Sequence, residues 1–374
     1  MTQSEASAMH YLQCGTPSTV FKLLWNNRKR LSLKEFPKIF HVIFMSLVLS
    51  PIAFLENLFH ARKIANTVVE KPPIFIVGHW RSGTTYLTSI MTKDESKAYF
   101  KAEQTYSFPV FITIGNLLKA AYNKVLPNKR PMDNMDMGRN EPQEENFAMA
   151  TMIEESIMHM MSFPSNARFF AKCAFYNELN DKTRKKVRDC YLNIIKKLTY
   201  HTGGKQLVLK SPDNTCRVDM LLELFPDAKF IHIYRNPYKV FPSTVGMFNK
   251  LFPIFSLEDI EKNSQEEVQE VIMDIYEKLY LQYLKDKELI PKENLIELKY
   301  EEFVKDPMGH VEAIYHDLKI DGFEKDKEKM QQYVDAKKSY KTNNYLIDNK
   351  HKRSLNRKLK FFFDKYGYEI EEEA

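Results

Sequence analysis

Three cations follow short apolar runs, and each marks a place where the chain could hold an anion. Arg81 lies in Gly78-His79-Trp80-Arg81-Ser82-Gly83-Thr84-Thr85-Tyr86, after the run Ile74 to Val77. Lys210 closes Gln206-Leu-Val-Leu, and Arg235 closes Lys229-Phe-Ile-His-Ile-Tyr234. Continuous apolar runs suit parallel strands covered on both faces, and Gly78 and Gly83 let the backbone turn tightly before a helix that begins near Thr84. A loop of that shape aims its N–H groups at one spot. Together with the positive end of the following helix it makes an anion site suited to phosphate.

Gly78 and Gly83 have the spacing of a nucleotide triphosphatase P-loop, but Thr84-Thr85 stand where that motif requires Lys and then Ser or Thr. Without that lysine, and with Arg81 inside the loop, the expected ligand is an anionic donor handled without a metal ion. The third cation carries its own partner: Ser243 lies eight positions after Arg235, beyond Asn236-Pro237. An arginine fork and a hydroxyl donor are suited to a further phosphate.

The strand followed by RSGTT, together with the Arg235/Ser243 pair, resembles the sulfotransferases that use 3′-phosphoadenosine 5′-phosphosulfate (PAPS). With Lys210-Ser211-Pro212 and the Pro142-Gln143-Glu144 string, the chain is most similar to bacterial-type members, some of which act on lipophilic alcohols such as sterols. The resemblance covers roughly residues 72 to 320. It implies that Arg81, Ser82, Gly83, Thr84, Thr85 and Tyr86 hold the donor's 5′ end, with Tyr86 standing where cytosolic members carry an adenine-stacking Trp. It also implies that Arg235 and Ser243 bind the 3′-phosphate, that Tyr300 lies against the adenine, and that Arg81 and Lys210 stabilise charge on the leaving phosphate. PAPS is then a co-substrate and no metal is needed. Two departures stand out: Pro212 occupies the place of the catalytic histidine, and no Arg-Lys-Gly loop closes the C-terminal part. Only the basic run Lys350-His-Lys-Arg353, then Arg357, Lys358 and Lys360, is available in its stead.

An acceptor hydroxyl needs a general base. Glu144 is the first candidate, Glu145 the second and Glu103 the third, with His79 and His159 as outside candidates. Pro142 suits a first helical position and would put Glu144 and Glu145 in the first turn of a Met-rich helix, beside Arg139 or Lys210. Acidic residues also favour helix N-termini for dipole reasons alone.

The acceptor expected is an apolar alcohol: a sterol, a bile-acid-like molecule or a lipid alcohol. Met149, Met152, Met158, Met160 and Met161 crowd Phe147 to Phe163, a segment read as one helix buried on several sides. Ile39 to Leu55 is uncharged but interrupted by His41, two Ser and Pro51, short of a membrane span, and is flanked by Arg28, Lys29, Arg30, Lys34, Lys38, Arg62 and Lys63. It fits a membrane interface, a cover over the acceptor cleft, or a core helix.

Among 374 residues, 44% hydrophobic and 28% charged is ordinary globular composition, and 55 basic against 49 acidic residues is too mild an excess for a nucleic-acid binder. Cys14, Cys173, Cys190 and Cys216 form no metal or disulfide pattern. No secretory signal or glycosylation sequon is visible, so a cytoplasmic location with peripheral membrane contact is expected. The elements read as a three-layer, P-loop-like α/β fold with a mainly parallel sheet. A helical N-terminal segment (1–71) precedes a sulfotransferase domain (72–374), which carries a helical insert at about 104–204. A carbohydrate sulfotransferase and a non-catalytic nucleotide binder of the same fold remain the alternatives.

Overall fold

The structure, a computed structural model, describes residues 10–125, 129, 130, 132, 135, 140–262, 265–340, 343 and 345–371. Among them, five strands form one wholly parallel sheet: β1 (Ile74–Val77), β2 (Lys97–Ala98), β3 (Gln206–Leu209), β4 (Lys229–Tyr234) and β5 (Leu295–Lys299). The order is β2-β3-β1-β4-β5, with Phe75 opposite both Leu209 and Phe230, and Val77 opposite His232. Alternate residues feed two separate cores: Phe75, Val77, Leu207, Leu209 and Phe230 on one face, and Ile74, Ile76, Val208, Ile231 and Ile233 on the other. That division is why the strands read as unbroken apolar runs and why the fold has three layers.

From β1 the chain goes first to one side of the sheet and then returns to the other. The carboxyl ends of β1 and β4 therefore flank a switch point, where open α/β sheets bind ligands. Helix α3 (Thr84–Met91) rises from the β1 loop, and α6 (Pro237–Phe255) follows β4.

Three sequence expectations change in the structure. The stretch Lys97-Ala-Tyr-Phe-Lys101, whose sequence predicts a second strand, pairs only at Lys97 and Ala98, because the Lys101 N–H is taken by the Gln104 side chain at 3.0 Å and the chain turns into a short helix. The Met-rich segment is not one helix. Helix α4 (Glu145–Met152) ends at an extended Ile153, and Ser156 then caps a separate 3-10 turn, Ile157–Met161. Pro142 also falls outside the helix, since the Gln143 N–H binds the Phe100 carbonyl at 2.8 Å, which leaves Glu144 as the N-cap and Glu145 as the first helical residue.

The N-terminal region contributes α1 (Pro17–Asn26) and α2 (Phe36–Ala65). Helix α2 runs 30 residues, straight through Pro51, and is long and apolar enough by length and composition to cross a membrane. The charged residues that seemed to bound its apolar run, Lys38 and Glu56, are turned inward. Glu56 pairs with Lys197 of α5 (Asp181–His201) at 2.5 Å and accepts the Thr113 N–H at 2.7 Å, while the Lys197 ammonium lies over the Phe108 and Phe111 rings. Burial pushes the Lys197 ammonium down and Glu56 pulls it back up. Lys197→Met leaves Glu56 buried without its cation, and breaking a buried pair in this way costs about 3 kcal/mol or more. Urea unfolding should show a midpoint lowered accordingly with an unchanged slope. A loss under about 1 kcal/mol would show that the pair does not anchor α2.

Candidate functional site

Gly78 and Gly83 both have positive φ, at 146° and 108°. A Cβ at Gly78 would collide with the Ile233 carbonyl of β4, and one at Gly83 would collide with the Tyr300 ring. Both close approaches are possible only without a side chain. Between them Arg81 takes a left-handed conformation (φ 70°), uncommon for a side-chain-bearing residue and typical of loops held for a purpose. The loop is braced from below: Thr215 Oγ1 accepts the Gly78 N–H at 2.7 Å, and Ser82 Oγ donates to the His79 carbonyl at 2.8 Å.

Arg81 Nε donates to Ser243 Oγ at 3.0 Å, and Arg235 Nη1 donates to the Arg81 carbonyl at 3.2 Å. The Arg235 guanidinium also lies 4.2 Å from the centre of the Tyr300 ring. The structure thus gathers Arg81, Arg235, Ser243 and Tyr300, residues from three strand ends and a helix. Arg81, Arg235 and Tyr300 border a cleft of about 740 Å³ that is also lined by Gly83, Thr84, Thr85, Tyr86, Pro212, Lys337 and Tyr340, and Ser243 is tied to that border through its bond to Arg81. Burial, reinforced by Tyr300, raises the Tyr86 phenol to about 12. It stays neutral and presents an uncharged ring.

A second cleft, about 1050 Å³, adjoins the first and is largely apolar, walled by Tyr106, Phe147, Ile157, Met158, Met160 and Met161 on one side. On the other side stand Met247, Phe248, Leu251, Ile254 and Phe255 of α6. Trp80, Thr85, Arg130, Glu144 and Met247 border both clefts, so the two spaces meet there. At the junction Lys210 Nζ donates to Glu144 Oε1 at 2.6 Å. Arg130 reaches across to donate to Thr85 Oγ1 at 3.2 Å.

The other base candidates lie elsewhere. Glu145 is fully buried and lines neither cleft; Tyr191 and Asn214 donate to its Oε1 at 2.9 and 2.5 Å, and burial pushes its carboxyl up despite these bonds. Adjacent residues at a helix start point in different directions, so only Glu144 faces the junction. Glu103 is buried in the short helix after β2 and borders neither cleft. His79 is stacked on Tyr276 at 4.1 Å beneath the loop, and His159 is held between the Ile153 carbonyl and the Tyr11 hydroxyl. Burial lowers both imidazoles to about 4. Arg139 lies outside the described residues. The C-terminal basic run does not reach the first cleft: Lys350 pairs with Glu266, and Lys358 with Asp274 at 2.8 Å and Glu277 at 2.7 Å.

A model of the sulfotransferase family matches residues 72–325, well over half of the chain. The chain belongs to the sulfotransferase family. Over 327 residues it is 29% identical to the omega-hydroxy-beta-dihydromenaquinone-9 sulfotransferase Stf3 of Mycobacterium bovis and of Mycobacterium tuberculosis, covering 87% of this chain and 83% of each relative. Its fold is similar to that of the sulfotransferase STF9 from Mycobacterium avium, with a TM-score of 0.68 at 17% identity over 92% of this chain and 88% of that one. It is also similar to STF1 from M. tuberculosis H37Rv, with a TM-score of 0.63 at 14% identity over 84% and 86%.

In this sulfotransferase, sequence reasoning missed Trp80, Arg130, Lys337, Tyr340 and the α6 wall. The wall did leave a signal, since Met247, Phe248, Leu251, Ile254 and Phe255 recur at helical spacing just after Ser243. The contact between Gly83 and Tyr300 gives a direct test of the loop geometry. Gly83→Ala should cost about 2 kcal/mol in thermal unfolding through its positive φ and the collision with the ring. Tyr300→Ala in the same chain should recover part of that loss. Strictly additive effects would contradict the packing.

Proposed function

We propose that this sulfotransferase moves the sulfuryl group of PAPS to the hydroxyl of a lipophilic alcohol, releasing 3′,5′-diphosphoadenosine. The observation that carries the reading is the junction of two unlike clefts, one cationic and one apolar, at the Lys210–Glu144 pair. The cationic cleft fits the donor: a loop of N–H groups at a helix start, the guanidiniums of Arg81 and Arg235 with Ser243 bonded to Arg81, and two tyrosine rings for a base.

When bound, PAPS supplies a sulfuryl group whose transfer leaves negative charge on the 5′-phosphate oxygen. In this reading the loop from Gly78 to Thr85 and Arg81 hold the 5′-phosphosulfate, Arg235 and Ser243 the 3′-phosphate, and Tyr86 and Tyr300 the adenine. Lys210 stabilises the charge that develops on the leaving phosphate oxygen, an interaction strongest in the transition state. Glu144 takes the proton of the acceptor hydroxyl as its oxygen bonds to sulfur. Glu144 is the base because it alone among the candidate carboxylates borders both clefts.

The Met- and Phe-lined cleft supports an apolar acceptor, and the 29%-identical Stf3 relatives are named for a hydroxylated menaquinone. Sterols, bile-acid-like molecules and lipid alcohols, including hydroxylated isoprenoid quinones, are preferred over sugars. The enzyme is proposed to act on the cytoplasmic side. The deciding experiment is transfer from ³⁵S-labelled PAPS to a panel pairing such alcohols with oligosaccharides. Labelled lipid alcohol is expected, whereas labelled sugar alone would favour a carbohydrate sulfotransferase, and no transfer to any acceptor a non-catalytic binder.

Two substitutions separate binding from chemistry. Arg235→Ala removes a charged contact to the 3′-phosphate worth about 1.5–3 kcal/mol, so calorimetry should show 3′,5′-diphosphoadenosine binding weakened roughly ten- to over a hundredfold. Glu144→Gln should keep that affinity and lose about a hundredfold or more in turnover. Full turnover in Glu144→Gln would remove the base assignment.

A further inference from the structure

The exterior of α2 has the opposite character from a soluble helix. From Phe36 to Phe59 its charged side chains are Lys38 and Glu56, and both are buried. Its exposed side is a ridge of Phe36, Phe40, Phe44, Leu47, Val48, Phe54, Leu55, Leu58 and Phe59, with Phe54 and Phe59 each 67% exposed. These positions recur at helical spacing, so they form one stripe about 35 Å long. A contiguous apolar surface of this length is unusual on a soluble protein and marks an interaction face. Trp25 (68% exposed) and Leu33 (91%) extend it at the α1–α2 turn, where the Arg28 guanidinium lies 4.7 Å from the indole centre. Neither cleft is lined by a residue of α2.

Charge indicates what covers this ridge. Arg28, Lys29 and Arg30 stand exposed at its beginning, next to Lys34, which pairs with Asp259 at 3.2 Å and Glu261 at 3.1 Å, and Arg62 and Lys63 stand exposed at its end. A second copy of the chain would bring like charges together whether the two helices paired parallel or antiparallel. An anionic bilayer surface complements both ends at once and takes the aromatic ridge into its interface. The helix is also fastened lengthwise to the protein, through Lys38 Nζ to the Ser256 carbonyl (2.9 Å), Ser46 Oγ to the Gly15 carbonyl (2.7 Å) and Glu56 to Lys197 (2.5 Å). Those polar ties along one side argue against a spanning orientation, since a spanning helix would carry them into hydrocarbon.

We propose that the α1–α2 face docks this enzyme onto an anionic lipid bilayer, with α2 lying in the plane of the interface. Docking also sets the direction of the acceptor cleft. Ser32 N–H binds the Leu257 carbonyl at 3.0 Å and Lys38 binds that of Ser256, so the basic start of α2 abuts the end of α6, whose Leu251, Ile254 and Phe255 line the apolar cleft. A lipid alcohol leaving the bilayer there has a short path to Glu144. That path rests on the acceptor reading above; the docking does not.

The test is sedimentation of the purified full chain with vesicles of phosphatidylcholine alone, or of phosphatidylcholine and phosphatidylglycerol in equal parts. The chain should bind the anionic vesicles, lose binding as salt screens the charges, and lose about tenfold or more in Phe44→Glu/Phe54→Glu, whose side chains are exposed. Lys29→Glu/Arg30→Glu should weaken binding to the anionic vesicles. Light scattering on the same samples reports the alternative: a dimer that the Phe44→Glu/Phe54→Glu pair dissociates would show that a second copy covers the ridge and overturn the proposal, as would equal vesicle binding by wild type and both variants. If vesicle binding is lost while turnover of a short, water-soluble alcohol is kept, docking stands apart from catalysis. Vesicle binding by a chain that sulfates only sugars would leave docking in place and defeat the acceptor reading.

Discussion

The contact between Lys210 and Glu144 is the constraint on which the arrangement of the enzyme turns. Lys210 is fixed by β3, a strand paired to β1 and buried on both faces, so its position relative to the Gly78–Gly83 loop is set by the sheet. Glu144 comes from the segment between β2 and β3, and its position depends on the Gln143 N–H bond to the Phe100 carbonyl just beyond β2. The strand end thus locates the cation and the segment before β3 delivers the carboxylate, at a place where a cationic cleft and an apolar cleft open into each other.

Helix α6 unites the two sides. Its first turns carry Ser243, bonded to Arg81, and its later turns carry Met247 to Phe255 along the apolar cleft. Because one helix borders both, the residues it gives to the two clefts are spaced along a single axis. The end of α6 in turn meets the start of α2 through Lys38 and Ser32, which connects the interior cleft to the exposed apolar ridge.

What could be read from the sequence was whatever is encoded locally. β1, β3 and β4 are covered on both faces, so each shows as a short apolar run, and the loop glycines lie between two of the signals they serve. Glu144 could not be separated from Glu145 in this way, because the distinction depends on Lys210, 66 positions away, and on where a helix begins. The Met-rich stretch read as one helix because its apolar residues continue past Met152, while the break comes from Ser156 and His159 bonding to nearby backbone. Helix α2 was underestimated for a related reason: Lys38 and Glu56 look like solvated ends in sequence, yet each has a buried partner in the fold.

Donor and acceptor are proposed to meet at the Lys210–Glu144 junction. A crystal structure with 3′,5′-diphosphoadenosine and a lipid alcohol tests it most directly. It should show the 5′-phosphate within hydrogen-bonding distance of Lys210 and the loop N–H groups, the 3′-phosphate on Arg235 and Ser243, and the acceptor hydroxyl beside Glu144. A nucleotide lying in the apolar cleft, or an acceptor hydroxyl remote from Glu144 while both ligands are bound, would contradict it.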